Sequence, residues 1–307
     1  MLSYRAHLRK MKHQINPDNS IDYQLRMIRH PAKRSFASED ERNLRGKSIK
    51  SEDEILEPMN QYIGQKVKIE FQDQINCVAC GRKTNKSFGQ GHCFPCLQNL
   101  AECDTCIIKP ELCHFDQGTC RDNDFAESHC NINHSIYLSL TSGMKIGVTR
   151  QVQEKTRWVD QGAVQALRVM TLRRRYHAGL IEAELAKEMQ DKTNWRKMLK
   201  NDVDDRDLED EKTNVLARVR SFIEEDIFDE DLSYVLEEAE VLSETTEIQR
   251  LEYPVINYPD KIKSFNLDKD SVAEGTLNGI KGQYLIMDTG VINLRKYGGY
   301  LVSVDLG

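Results

Sequence analysis

The sequence contains no run of eighteen apolar residues, which rules out a membrane-spanning helix on length alone. Its opening, Met1-Leu2-Ser3-Tyr4-Arg5, has no basic stretch leading into an apolar one, so it does not read as a secretory signal. No repeat recurs at the 20–50-residue spacing of solenoids. No cysteine lies outside Cys77–Cys130. Nine cysteines crowded into that interval, in a chain without a signal, point to bound metal rather than a disulfide scaffold. The expectation is a cytoplasmic protein in a reducing compartment.

The chain has 307 residues, 39% hydrophobic and 30% charged, a globular composition long enough for two or three compact units. The net charge of -6 is unevenly spread. Residues 143–200 hold thirteen Lys/Arg against six Asp/Glu, and residues 201–252 hold five against nineteen. A basic block followed by an acidic one fits a polyanion-binding surface covered by an internal competitor. It fits equally two solvated helical faces of opposite sign packed together.

The pattern predicts an α+β chain in five segments. Residues 1–74 form an amino-terminal β segment, with Tyr23, Leu25 and Met27 alternating and a polar loop over 31–55. Val67–Phe71 alternates as a strand entering the cysteine-rich module, 75–134. Residues 135–200 open on a hairpin, Ser135–Leu140 and Met144–Val148 around Thr141-Ser142-Gly143, followed by a helix over 162–189. The acidic region, 201–250, carries an amphipathic helix over 207–227 with Leu208, Leu216, Val219, Phe222, Ile223 and Ile227 on one face, then a short helix over 234–242. Residues 251–307 form a small β unit, with strands at Tyr284–Met287, Val291–Leu294 and Tyr300–Val304, expected to pair with the amino-terminal strands.

Cys77-x2-Cys80-Gly81 and Cys93-x2-Cys96 are two knuckles twelve residues apart. Each presents two thiolates from one turn, and two together supply the four soft ligands of tetrahedral zinc. Cys103-x2-Cys106 is a third knuckle. A second zinc is expected on Cys103 and Cys106 plus two of Cys113, His114, Cys120, Cys130 and His134, with exchange of knuckles between sites left open. Four protein ligands leave no position for water, so both zinc ions read as structural. A module with so little apolar core draws folding energy from its metal.

The hairpin and the helix after it resemble the GIY-YIG nuclease superfamily. Ser135-Ile136-Tyr137 stands where that family has Gly-Ile-Tyr, and Lys145-Ile146-Gly147 where it has Tyr-Ile-Gly. Ile181-Glu182-Ala183-Glu184-Leu185 looks like the stretch bearing the family's metal-binding Glu, and Lys192 and Asn194 follow at matching distances. The resemblance implies that Glu182 holds magnesium or manganese, Arg157 the phosphate, and that Tyr137 orients or deprotonates the nucleophile. Such cleavage needs a hard cation on carboxylate oxygen and a cationic clamp. Lys145, Arg150, Arg173, Arg174, Lys192 and Asn194 are the candidate nucleic-acid contacts. Read singly, Tyr137 is an ordinary core aromatic, Glu182 a solvated helix residue and the Arg173-Arg174-Arg175 run a solvated face.

The chain as a whole, cysteines included, resembles an uncharacterised bacterial and archaeal family labelled domain of unknown function 2797. Pro110-Glu111-Leu112-Cys113-His114, Gly118-Thr119-Cys120-Arg121, Thr156–Ala163 and Asp191–Arg196 carry the match. The reading is a zinc ribbon-like module beside a GIY-YIG-like α/β unit, flanked by small β segments and an acidic helical region. Two functions follow. One is a zinc protein that binds DNA or RNA and cleaves phosphodiesters. The other is a non-catalytic zinc-stabilised adaptor for a protein or nucleic acid, which Lys145 in the family's tyrosine position and the overall acidity both suit.

Overall fold

The computed structural model describes residues 1–30, 54–188, 194–228, 230–237 and 247–307. Strands β1 (Leu2–Leu8), β2 (Lys12–Ile15), β3 (Ile21–Ile28), β4 (Glu54–Pro58), β5 (Lys66–Asn76) and β6 (Lys83–Thr84) lead to helix α1 (Phe94–Asn99). Helix α2 (Asn123–His129), strands β7 (His134–Leu140) and β8 (Met144–Arg150), helix α3 (Glu154–Gln161) and strand β9 (Gln165–Leu172) follow. Helices α4 (Arg175–Glu188), α5 (Trp195–Leu199) and α6 (Leu208–Glu224) come next. Strands β10 (Gln249–Arg250), β11 (Val272–Lys281), β12 (Tyr284–Met287), β13 (Gly290–Asn293) and β14 (Tyr300–Leu306) complete this α+β chain.

The chain divides into two compact units. The first comprises residues 1–16, 20–98 and 253–307, and the second residues 17–19 and 99–252. The cysteine-rich stretch therefore splits, with Cys77, Cys80, Cys93 and Cys96 in the first unit and the other five cysteines in the second.

The first unit is an antiparallel sheet in the order β13-β12-β11-β5-β14-β1-β3-β2, with β4 on β3 and β6 on β5. Alternation explains its strands: in β3, Ile21, Tyr23, Leu25 and Met27 are buried while their neighbours face outward. The chain ends pair as the sequence predicts, Leu2 opposite Leu306 and Ala6 opposite Val302.

The second unit has a smaller antiparallel sheet, β10-β9-β7-β8. All seven residues of β7 are buried, because β7 is central and covered on both faces. Ile136, Leu138 and Leu140 join Ile181 and Leu185 of α4 and Leu208, Val215 and Val219 of α6 in one apolar core. Ser135, Tyr137 and Ser139 alternate with them on the opposite face.

Two expectations are corrected. The helix predicted over 162–189 is strand β9 over its first half and helix only from Arg175. Gly162 at φ +74° ends α3, and pairing with the free edge of β7 then outweighs the helical propensity of Gln165–Leu172. Helix α6 ends at Glu224, so Ile227, predicted on its apolar face, lies beyond it and is exposed, whereas Leu216, Phe222 and Ile223 pack against the core. The loop over 31–55 and the helix over 234–242 lie largely outside the described residues, although 234–237 are helical.

Candidate functional site

The end of β5 and the start of α1 bring the first two knuckles together. Gly81 at φ +72° lets the chain turn after Cys80, and its N–H donates to the Cys77 carbonyl. Gly91 is required by crowding, since a Cβ there would lie 2.4 Å from Val78 Cγ1 and 3.0 Å from the Gly298 carbonyl. The Cys77, Cys80, Cys93 and Cys96 sulfurs all lie within 4.8 Å of one another, each residue at most 3% exposed. Burial raises the Cys77 thiol, but backbone N–H groups of Cys80, Cys93 and Ala79 outweigh it and bring it down to about 7. Burial, with neighbouring thiols behind it, pushes Cys80 and Cys96 upward. Four thiolates this close repel unless a cation sits among them. The donor set and its closure fit a structural metal ion, with no position left for substrate. Arg9 lies in electrostatic reach of Cys77; burial first, then Arg26, brings its guanidinium down to about 10. Sequence reading missed Arg9, because nothing local ties it to a cysteine almost seventy residues away.

Cys106 and His114, both expected at a second site, come together, and among the described residues Cys103 is in neither metal-capable group. Cys106, Cys113, Cys120 and Cys130 line one cavity with Asp104 and His114, whereas Cys103 and His134 are not on its wall. Asp104, Cys106 and His114 offer ligand atoms within 4.8 Å of one another, a second group able to hold a metal ion. His134 is fully buried, its Nδ1 donating to the Ile132 carbonyl at 2.7 Å, and burial lowers it to about 4.

In the second unit Tyr137 meets Arg157, with Glu182 in electrostatic reach of both. Tyr137 is opposite Gly147 in the β7–β8 register, and a Cβ on Gly147 would lie 2.6 Å from the tyrosine hydroxyl. Trp158 meets the ring edge-on at 6.1 Å. The Gln161 amide links the group: its nitrogen donates to the Tyr137 hydroxyl at 3.0 Å, and its oxygen accepts from Arg157 Nε at 3.0 Å and from the second guanidinium nitrogen at 3.2 Å. Burial raises the Tyr137 hydroxyl, Arg157 opposes it, and the Glu182 carboxylate adds to the rise. Tyr137 has no exposed surface and its hydroxyl is engaged, so this arrangement clamps Arg157 more readily than it activates water. Beside it, buried Glu154 takes Arg168 in a two-pronged ion pair at 2.5 and 2.6 Å. Gln161 and Glu154 were not singled out by sequence, since neutral amides and intrahelical acids carry no motif.

Of the predicted phosphate contacts, Arg173, Arg174 and Asn194 have local partners. Arg173 lies over the Tyr234 ring at 4.2 Å, and Arg174 pairs with Asp116 at 2.6 Å. Asn194 caps α5, accepting from the Arg196 and Lys197 amides. Lys145 lies opposite Ser139, on the face of the sheet that bears Tyr137. Arg150 is half-buried beside Arg175 and Cys130, and Lys192 lies outside the described residues. Among the described residues, Glu182 belongs to neither metal-capable group, and no helix is long and apolar enough to cross a membrane.

A family model described as "Protein of unknown function (DUF2797)" matches residues 64–302, more than half of the chain. No curated protein and no solved structure matches at a significant level.

Proposed function

We propose that this chain, which belongs to the DUF2797 family of proteins of unknown function, is a zinc-stabilised adaptor that binds a macromolecular partner without catalysis. The observation that carries the reading is the buried, closed four-cysteine group at Cys77, Cys80, Cys93 and Cys96. Four sulfurs select a soft tetrahedral ion, for which zinc is the usual choice, and leave it a structural task. The sealed Tyr137 hydroxyl and Lys145 in place of the superfamily's second tyrosine support the same conclusion.

A second reading, a divalent-metal-dependent endonuclease, is favoured by the convergence of Tyr137, Arg157 and Glu182. In that reading Glu182 holds magnesium or manganese, Arg157 takes the phosphate, and Tyr137 swings from its clamp to the nucleophile.

One experiment separates them. Zinc-loaded full-length protein is incubated with labelled single- and double-stranded DNA and RNA, with magnesium or manganese, beside Glu182→Ala. The adaptor reading expects no cleavage by either protein. Cleavage by the parent that Glu182→Ala loses overturns it in favour of the nuclease. Binding measured over 50–200 mM salt names the partner class: a nucleic-acid adaptor loses affinity steeply, on the order of a thousandfold for six phosphate contacts, and a protein adaptor does not bind these probes.

A further inference from the structure

We infer that Cys106, Cys113, Cys120 and Cys130 hold a second tetrahedral metal ion through four sulfurs, and that Cys103 stands outside it. This goes beyond the adaptor reading, which rests on the first group alone. The four cysteines reach the same cavity from separate pieces of backbone. Cys106 is in the 3-10 turn Thr105–Ile107, Cys113 closes the turn Pro110–Leu112, Cys120 precedes α2 and Cys130 caps its carboxyl end. The cavity, about 10 Å³, is at the lower limit for one water and has room for a single ion. Convergence of four cysteines from four segments is costly in chain entropy, and a shared ion is what offsets it.

Cys106 also lies within 4.8 Å of ligand atoms of Asp104 and His114, and these two non-sulfur donors have partners of their own. The Asp104 carboxylate accepts from the Thr105 amide at 2.6 Å and pairs with Arg121 at 2.7 Å. His114 Nδ1 meets the Thr119 hydroxyl at 2.8 Å and its Nε2 faces Asp104 at 3.4 Å. These groups brace the loop around the sulfurs, as outer partners commonly brace a metal site.

Charge supplies an independent argument. A divalent ion on four thiolates carries a net charge of -2. Two guanidiniums, Arg150 and Arg175, lie in electrostatic reach of Cys130. Arg175 also feels Cys106, and the charges acting on Arg150 are Arg175 and Cys130. Around neutral thiols Arg150 and Arg175 oppose each other, and Glu182 offsets part of the charge of Arg175. A thiolate-bound ion adds negative charge beside both guanidiniums. Arg175 further anchors the loop by donating to the Ile107 carbonyl, and its own amide donates to the Cys130 carbonyl at 2.8 Å. The ion thus pins the cysteine loop to the start of α4.

Nine cysteines then divide into four, four and one. The test is native alkylation of the zinc-loaded full chain with iodoacetamide, mapped by mass spectrometry, beside a count of bound zinc. Two ions per chain and modification of Cys103 alone are expected. Cys120→Ser should drop the count to one and open Cys106, Cys113 and Cys130 to modification, leaving the first four cysteines protected. Cys103→Ser and His114→Gln should both retain two ions. One ion in the parent, protection of Cys103, or loss of an ion in Cys103→Ser or His114→Gln overturns the proposal. Should Cys120→Ser not fold, the parent's alkylation map and the Cys103→Ser zinc count still decide. The nuclease assay above leaves these readouts unmoved, so the two readings fail separately.

Discussion

Gly147 carries no side chain because Tyr137 occupies the space where one would be, with the hydroxyl 2.6 Å and the ring carbon bearing it 2.8 Å from a would-be Cβ. Gly147→Ala should therefore destabilise the second unit by about 1–3 kcal/mol, although alanine ordinarily suits a strand better than glycine. Tyr137→Phe removes the nearer of the two atoms and should recover part of the loss. A double-mutant cycle from denaturant titrations checks this, and strict additivity would remove the packing argument. His134 gives a pH prediction. Its folded value of about 4 lies below the ordinary 6.5, so the unfolded chain binds the proton more readily. Stability from this group is complete above pH 6.5 and is lost as pH falls toward 4, by on the order of 3 kcal/mol. Stability of the parent and His134→Gln measured from pH 7.5 to 4.5 should show a shallower acid slope in the variant; equal slopes would mean that His134 titrates normally.

Among the elements, α4 is placed by a glycine in mid-helix. A Cβ on Gly179 would lie 2.5 Å from Pro110 Cβ and 2.5 Å from the Glu111 amide nitrogen. Gly-to-Ala in a helix interior normally stabilises by up to about 1 kcal/mol. Gly179→Ala should instead destabilise, by about 1–3 kcal/mol, because the Pro110–Leu112 turn can no longer dock. The sign of the change in a urea titration is the readout. Helix α6 shows a different constraint. The charge of the acidic block fits a cover for the basic one and a packed face equally, and Leu208, Val215 and Val219 are core residues. Charge-reversal on the exposed side of α6, rather than deletion of 201–252, is the way to ask whether its acidity competes with a polyanion.

For the whole molecule, the metal should contribute folding energy outright, since the first knuckles have sulfur rather than apolar bulk at their centre. Removing zinc with a strong chelator should lower the melting temperature by well over 10 °C, given that about 1 kcal/mol moves a unit of this size by roughly 2–4 °C. Readdition of zinc should restore it. An unchanged melting curve on complete demetallation would show that the cysteines pack as ordinary buried thiols.

The sequence by itself determined the α+β class, the alternating strands of both ends, the hairpin around Thr141–Gly143 and the first four-cysteine group. Each rests on short-range periodicity or on spacing within one knuckle, and local chemistry suffices for those. Family membership was likewise legible in short runs such as Thr156–Ala163. Tertiary structure alone decided which later cysteines line one cavity, because Cys106, Cys113, Cys120 and Cys130 come from segments with no common period. It also made Gln165–Leu172 a strand, through a free sheet edge that no local propensity reports. Long-range pairing sealed Tyr137 against Gly147 and Gln161, and set Arg173 over Tyr234 and Arg174 against Asp116. Charge and motif can be read along a chain, but whether a charged group faces solvent depends on the packing of residues distant in sequence.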